Sequence, residues 1–326
     1  MRIIIYGLGA VGGAIAAGLA VEGRDVIGIA RGGMLEALRN APLRVRTPDG
    51  DFSATFPVVA HPSDITFAPD DLILLTMKTQ DTPAALGDLR AAGVREQPIF
   101  CVQNGVTNED LALRYFPNVH GATVMMPVIY VSPGEVVAQC TPKIGYFDIG
   151  TYPSGVTEDD QRLAAALDTQ RLAWFVHEDV MTSKRGKLLM NTRNVLSALL
   201  GKKSFESSLR DPLVDEAKAV FTSAGLTWQE VDATDPRRDE LLRPGKVAHA
   251  ADAGGSTAQS LVRGTGHVET DFLNGEIARL GRLTGVSTPV NTFFTQLMPE
   301  MVAKGVRPGD LTPDDLEARY AAWLRT

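Results

Sequence analysis

A lysine and two asparagines share one face of a predicted helix just past the middle of the chain. Lys187, Asn191 and Asn194 lie in the stretch 183–200, whose apolar positions 188, 189, 195, 196 and 199 repeat at helical spacing. At about 100° per residue, positions +4 and +7 fall within roughly 40° of the lysine. An amine between carboxamides suits a carbonyl substrate, because it can donate a proton or stabilise an oxyanion while the amides hold neighbouring oxygens. A solvated helix face has the same composition, so the pattern allows either a pocket wall or a surface. Glu269 opens a second helical stretch, where a carboxylate in the first turn ordinarily serves the helix dipole. His267, just before it, reads as a loop residue without a role.

A different chemistry is written at the start of the chain. Gly7-Leu8-Gly9-Ala10-Val11-Gly12 follows an apolar strand and opens an Ala-rich helix. In that context the three glycines serve a tight turn, the approach of a pyrophosphate to the backbone, and close packing of helix on strand. The first N–H groups of the helix then face the anion. The second strand ends in Ala30-Arg31-Gly32, with no acid to hold ribose hydroxyls. Arg31 can pair with a 2′-phosphate, so NADPH is the expected cofactor. Lys78 follows the third predicted strand and Gln103-Asn104-Gly105 the fourth. Both lie where open α/β sheets bind ligands, which makes Lys78 and Asn104 candidate cofactor contacts.

These residues need a scaffold, and the chain is long enough for two domains. Apolar runs at 2–6, 26–30, 72–76, 99–103 and 122–126 alternate with helical stretches, and 136–139 and 146–149 are candidates to extend the same sheet. Runs apolar on both faces predict a doubly wound, Rossmann-type parallel sheet. From about residue 179 the pattern turns helical, with candidates at 211–224, 257–263, 269–284, 290–304 and 313–324. Thr312 is the expected N-cap of the last, with Pro313 at its first position. The charged stretch Pro236–Pro244 reads as a loop. The expectation is an α/β N-terminal domain over 1–178, followed by an all-α substrate and catalytic domain over 179–326.

Composition narrows the partners. A net charge of −7 opposes broad nucleic-acid binding. No apolar run approaches the length of a membrane span, so a cytoplasmic protein is expected. Cys101 and Cys140 lack metal-ligand spacing, and Cys101 is expected to pack in a strand. A small-molecule partner remains, and a homodimer is left open.

Taken together, these residues resemble the ketopantoate reductase (2-dehydropantoate 2-reductase) family. The likeness runs in order through Gly7–Gly12, Lys78, Gln103-Asn104-Gly105, Lys187-Leu-Leu-Met-Asn191, Glu269-Thr-Asp-Phe-Leu-Asn-Gly275 and Gly285-Val-Ser-Thr-Pro289-Val-Asn291. It implies NADPH-dependent reduction of ketopantoate to pantoate, on the route to pantothenate, with Lys187 as general acid. It further implies that Asn104 orients lysine and substrate, and that Asn191 hydrogen-bonds the substrate. Glu269 would anchor the substrate hydroxyl or help orient the site, and Ser256 or Thr257 would meet the carboxylate.

Two departures fall on the substrate side. The family repeats asparagine eight residues after the lysine; here that position is Val195, and Asn194 stands one residue earlier, on the lysine face. The serine region reads Gly254-Gly255-Ser256-Thr257, without the usual double serine. A related 2-keto acid is therefore included in the expectation. The alternatives are a β-hydroxyacid or opine-type dehydrogenase, and a catalytically silent NADPH-binding sensor.

Overall fold

Runs of Ile, Leu and Val with no polar face become strands covered on both sides. Leu72–Leu75 is buried at every position. In the computed structural model, which describes residues 1–232, 234–248, 255–264 and 268–326, eight strands form one sheet. Its spatial order is Leu172–Val176, Gly145–Thr151, Val119–Met125, Ile99–Cys101, Leu72–Leu75, Ile3–Tyr6, Val26–Ile29 and Val58–Val59. Pairing is parallel from Val119–Met125 to Val58–Val59, whereas Gly145–Thr151 runs antiparallel to Val119–Met125. The chain builds outward from Ile3–Tyr6 to one edge, then returns to lay Leu72–Leu75 on the other side. That reversal is the switch point beside which open α/β sheets bind ligands.

All five predicted parallel strands lie in this sheet, and 146–149 extends it. Residues 136–139 do not. Glu135–Ala138 joins a separate sheet with Val128–Ser132, Leu43–Arg46 and Phe52–Ala54. This second sheet covers the outer side of the helix Ala10–Ala20: a Cβ added at Gly13 would lie 3.3 Å from Leu43 and 3.7 Å from Val136. Sandwiched between sheets, the helix has no polar face to show.

Pro236–Pro244 is not a loop. Asp235 Oδ1 accepts from Arg237 N at 3.0 Å and starts the helix Pro236–Leu241. Leu242–Pro244 then pairs antiparallel with Cys140–Pro142. Charge that suggested solvent is neutralised internally, since Arg237 pairs with buried Asp148 at 2.5 Å and with Asp235 at 2.8 Å.

Two compact units result: Met1–Lys184 with Ala233–Ala250, and Arg185–Asp232 with Ala251–Thr326. The division falls inside the helix Val180–Asn191. The second unit packs the helices Asn194–Leu200, Arg210–Ser223, Ser256–Val262, Asn274–Thr284, Pro289–Ala303 and Pro313–Trp323. Its core includes Leu199, Leu213, Phe294 and Met298. Thr312 caps the last helix through a reciprocal pair with Asp315. Among the described residues, no helix is long and apolar enough to cross a membrane.

The predicted helix over 183–200 is two helices. Val180–Asn191 ends, and Asn194–Leu200 begins anew. In a continuous helix Leu196 N would donate to Thr192 O; here it donates to Arg193 O at 3.1 Å. The carbonyl set free at Thr192 accepts instead from Asn274 Nδ2 at 3.0 Å.

Candidate active site

In the first unit the glycine loop is shaped by what a side chain would hit. Gly7 has φ +106°, and a Cβ there would come within 2.7 Å of Met77 N. A Cβ at Gly12 would overlap the Gly7 carbonyl oxygen and the Thr76 hydroxyl, which itself lies 2.8 Å from Gly7 O. Gly9 differs, because nothing lies within 4 Å of an added Cβ. It N-caps the helix Ala10–Ala20, which has no side-chain cap and no acid in its first turn. The first N–H groups of such a helix have no intrahelical acceptor. Open space, unopposed positive dipole and missing caps together fit an anion the size of a pyrophosphate.

Arg31 stands just past the end of Val26–Ile29, with 83% of its side chain exposed and Nη2 3.0 Å from Asp81 Oδ1. Lys78 follows Leu72–Leu75 and is half-buried. Asn104 is also half-buried, and its carbonyl accepts from Asn108 Nδ2 at 3.2 Å. All three lie beyond the carboxyl ends of parallel strands.

Periodicity gives no sign of the part played by Lys184. It is 2% exposed, and its Nζ lies 2.8 Å from Gln103 O, 3.0 Å from Ala122 O and 3.4 Å from Cys101 O. Glu109 Oε1 sits 2.8 Å away as counter-charge, and it too is fully buried. Burial raises the Glu109 carboxyl above its ordinary range, with Lys184 pulling the other way. Cys101 is buried beside this pair, and burial drives its thiol well up, so it is inert there.

In the second unit, Lys187 is half-buried and Asn191 is 5% exposed. Asn191 Nδ2 has no hydrogen-bond partner among the described residues. The helix break means Asn194 does not continue the lysine face as a regular helix would. It nevertheless stays beside Asn191, its Nδ2 3.5 Å from Asn191 Oδ1. The start of Ser256–Val262 comes to the same place, because a Cβ at Gly255 would lie 3.4 Å from Asn194 Oδ1 and from Ser197 Oγ. Thr257 is buried, whereas Ser256 is partly exposed. Glu269 is 5% exposed at the head of the 3-10 turn Glu269–Phe272. His267 and Gly254 lie outside the described residues.

Asn274, in sequence only one member of a motif, orders this region. Its Nδ2 bridges Thr192 O and Asn291 Oδ1, each at 3.0 Å. Asn291 Nδ2 is held by Leu213 O at 3.0 Å and Glu216 Oε2 at 2.8 Å. Glu216 also accepts from the backbone of Val290 and Asn291, at 2.8 and 2.9 Å, which caps Pro289–Ala303 from a neighbouring helix.

A Rossmann-type sheet with a glycine-loop helix, followed by a helical unit carrying a lysine and carboxamides, defines a pyridine-nucleotide type of oxidoreductase. Sequence comparison makes the class specific. The profile of the ketopantoate reductase PanE/ApbA family matches residues 3–154, and that of its C-terminal region matches 179–301. The chain belongs to the ketopantoate reductase family. It is 29% identical over 309 residues to a 2-dehydropantoate 2-reductase of Caulobacter vibrioides, covering 91% of this chain and 97% of that protein. A 2-dehydropantoate 2-reductase of Aquifex aeolicus is 26% identical over 316 residues, covering 91% and 96%. The crystal structure of a PanE/ApbA family ketopantoate reductase from Ralstonia eutropha JMP134 superposes with a TM-score of 0.77 at 27% identity, over 94% of this chain and 99% of that one. A D-mandelate dehydrogenase solved with NADH and anilino(oxo)acetate shares the fold, with a TM-score of 0.77 at 22% identity over 94% and 99%.

Proposed function

We propose that the chain reduces 2-dehydropantoate (ketopantoate), or a closely related 2-keto acid, with NADPH. The observation that carries this reading is Asn191, a buried amide whose Nδ2 donor is unanswered among the described residues. Such a group costs about 1–3 kcal/mol unless a ligand supplies the acceptor. It stands one helical turn past Lys187. A 2-keto acid carries suitable acceptors on both its ketone and its carboxylate.

When bound, NADPH supplies the hydride that reduces the C2 carbonyl. Lys187 stabilises the charge growing on the carbonyl oxygen and gives it a proton. Asn191 and Asn194 donate to substrate oxygens, and Asn104 orients the substrate. Ser256 or Thr257 meets the carboxylate, while Glu269 anchors a hydroxyl or helps orient the site. Backbone N–H groups of Gly7–Gly12 would hold the pyrophosphate, Arg31 would meet the 2′-phosphate, and Lys78 would be a further cofactor contact.

Val195 is 1% exposed within the helical core. The amides left for substrate on this stretch are therefore Asn191 and Asn194. A fold shared with a 2-hydroxy-acid dehydrogenase does not choose the acid, so the substrate rests on these residues. The test is a panel of 2-keto acids with NADPH and NADH, run on wild type and Lys187→Ala. Ketopantoate with NADPH should be the preferred pair. Lys187→Ala should lose about 10²–10⁴-fold in kcat, the usual worth of a general acid, with NADPH affinity unchanged. Near-wild-type turnover by that variant would remove Lys187 from the chemistry. NADPH binding by wild type without turnover of any acid would reduce the chain to a binding protein.

A further inference from the structure

Parallel strands Ile99–Cys101 and Val119–Met125 pair from Ile99–Val119 to Cys101–Gly121 and then part. Beyond that point the chain turns out into Gln103-Asn104-Gly105, and the ladder can no longer satisfy every carbonyl. The carbonyls of Cys101, Gln103 and Ala122 face inward here, and the Lys184 ammonium sits among them at 3.4, 2.8 and 3.0 Å. An ammonium has three protons and no acceptor, which suits a cluster of carbonyls where strands diverge. Glu109, from the helix Asn108–Leu113 just after the loop, supplies the opposite charge. Gly121 leaves room for both, since a Cβ there would lie 3.3 Å from Lys184 Cδ and 3.4 Å from Glu109 Oε1.

Gln103 O belongs to the peptide unit that joins Gln103 to Asn104. Whatever fixes that carbonyl fixes the origin of the Asn104 side chain. We propose that the Lys184–Glu109 pair is a positioning device for the reaction, holding the Gln103–Asn104 peptide at the mouth of the sheet. It acts through Asn104 and touches neither substrate nor cofactor. The proposal rests on the reading of Asn104 as a substrate-orienting group.

A buried ion pair can be exchanged for an apolar pair of similar size with little loss of stability, which separates positioning from folding. The full-length double variant Lys184→Met/Glu109→Leu should melt close to wild type. Its kcat with ketopantoate should fall at least about ten-fold, the scale of a small misplacement near reacting atoms. Independently of activity, amide hydrogen exchange across residues 102–106 should speed up about ten-fold or more, reporting local opening. Wild-type exchange and wild-type kcat in the double variant would overturn the proposal. If that variant does not fold, Lys184→Gln takes its place: slower turnover with faster exchange supports the positioning role, and wild-type values of both overturn it. Asn104→Ala is the control. Full activity there removes Asn104 from the reaction, whereas its loss beside an active double variant removes only the positioning role.

Discussion

The two units hold their candidate site residues by opposite chemistry. In the first, a buried cation gathers carbonyls where strands part, and a buried carboxylate balances it. In the second, Asn274 takes the carbonyl freed where a helix breaks, and Asn291 orients that amide. Both devices solve one problem, a backbone acceptor orphaned by an irregularity beside a candidate site residue. An ionic solution adds little net stability while intact but is costly when halved, because the surviving charge stays buried. The amide relay leaves only neutral groups unsatisfied.

Removing one side of each should therefore differ in size and in response to pH. Lys184→Met is expected to cost about 3–5 kcal/mol at neutral pH, the usual penalty for a buried charge without its partner. Asn274→Ala should cost about 2–4 kcal/mol, from unsatisfied acceptors at Thr192 and Asn291. Denaturant titration of both across pH sharpens the contrast. Glu109 already has a raised carboxyl through burial, and losing Lys184 raises it further. A raised acid binds its proton more readily in the folded state, so the variant gains stability as pH falls from the raised value toward the unfolded one. The cost of Lys184→Met should shrink on acidification, and that of Asn274→Ala should not. A pH-independent Lys184→Met penalty would show that Glu109 is already neutral in the fold.

A second buried carboxylate in the first unit runs the other way. Burial works to raise Asp160, but the hydrogen bond and charge of His120 outweigh it and hold its pKa below the ordinary value. Its oxygens lie 2.7 Å from His120 Nδ1, 2.7 Å from Thr151 Oγ1 and 2.8 Å from Thr157 N. A depressed carboxyl contributes stability that is present above its unfolded pKa and lost as pH falls through the folded one. Asp160→Asn should cost about 1.5–3 kcal/mol at neutral pH, as for hydrogen bonds to a charged group. It should also flatten the acid limb of the stability curve. An unchanged acid limb would mean that Asp160 does not drive acid unfolding.

The same contrast explains what can be read from sequence. The glycine loop is local: strand, turn and helix start are contiguous, Gly7 and Gly12 answer to close neighbours across the turn, and Gly9 faces open space. That loop is legible, as are the apolar strands of the large sheet. Leu43–Arg46 is not, because Leu-Arg-Val-Arg is only a short run, at the lower limit for an alternation signal, and its parallel partner Glu135–Ala138 lies about 90 residues on. The helix break is invisible for a related reason. Nothing at Thr192 and Arg193 forbids a helix, and the group that favours the break, Asn274, is 82 residues away. Lys184 is hidden because its partners, Gln103 O and Ala122 O, are 81 and 62 residues distant. Periodicity picks out Lys187 and Asn191 instead, since it sees one helix at a time.

Arg31 is the case where neither device operates, and it marks the low end of the scale. Its side chain is 83% exposed, and Asp81, with which it pairs, is partly exposed as well. Exposed pairs of this kind contribute about 0–1 kcal/mol, so Arg31→Ala should barely move the melting temperature. The effect belongs to binding. If the guanidinium meets a 2′-phosphate, its loss removes a charge-assisted contact worth about 1.5–3 kcal/mol, or roughly ten- to a hundred-fold in NADPH affinity. NADH, which has no such phosphate, should bind the variant as it binds wild type. Titration of both nucleotides by fluorescence reads the difference directly. Equal weakening of the two would assign Arg31 to the shape of the loop, and equal retention would leave it a surface partner of Asp81.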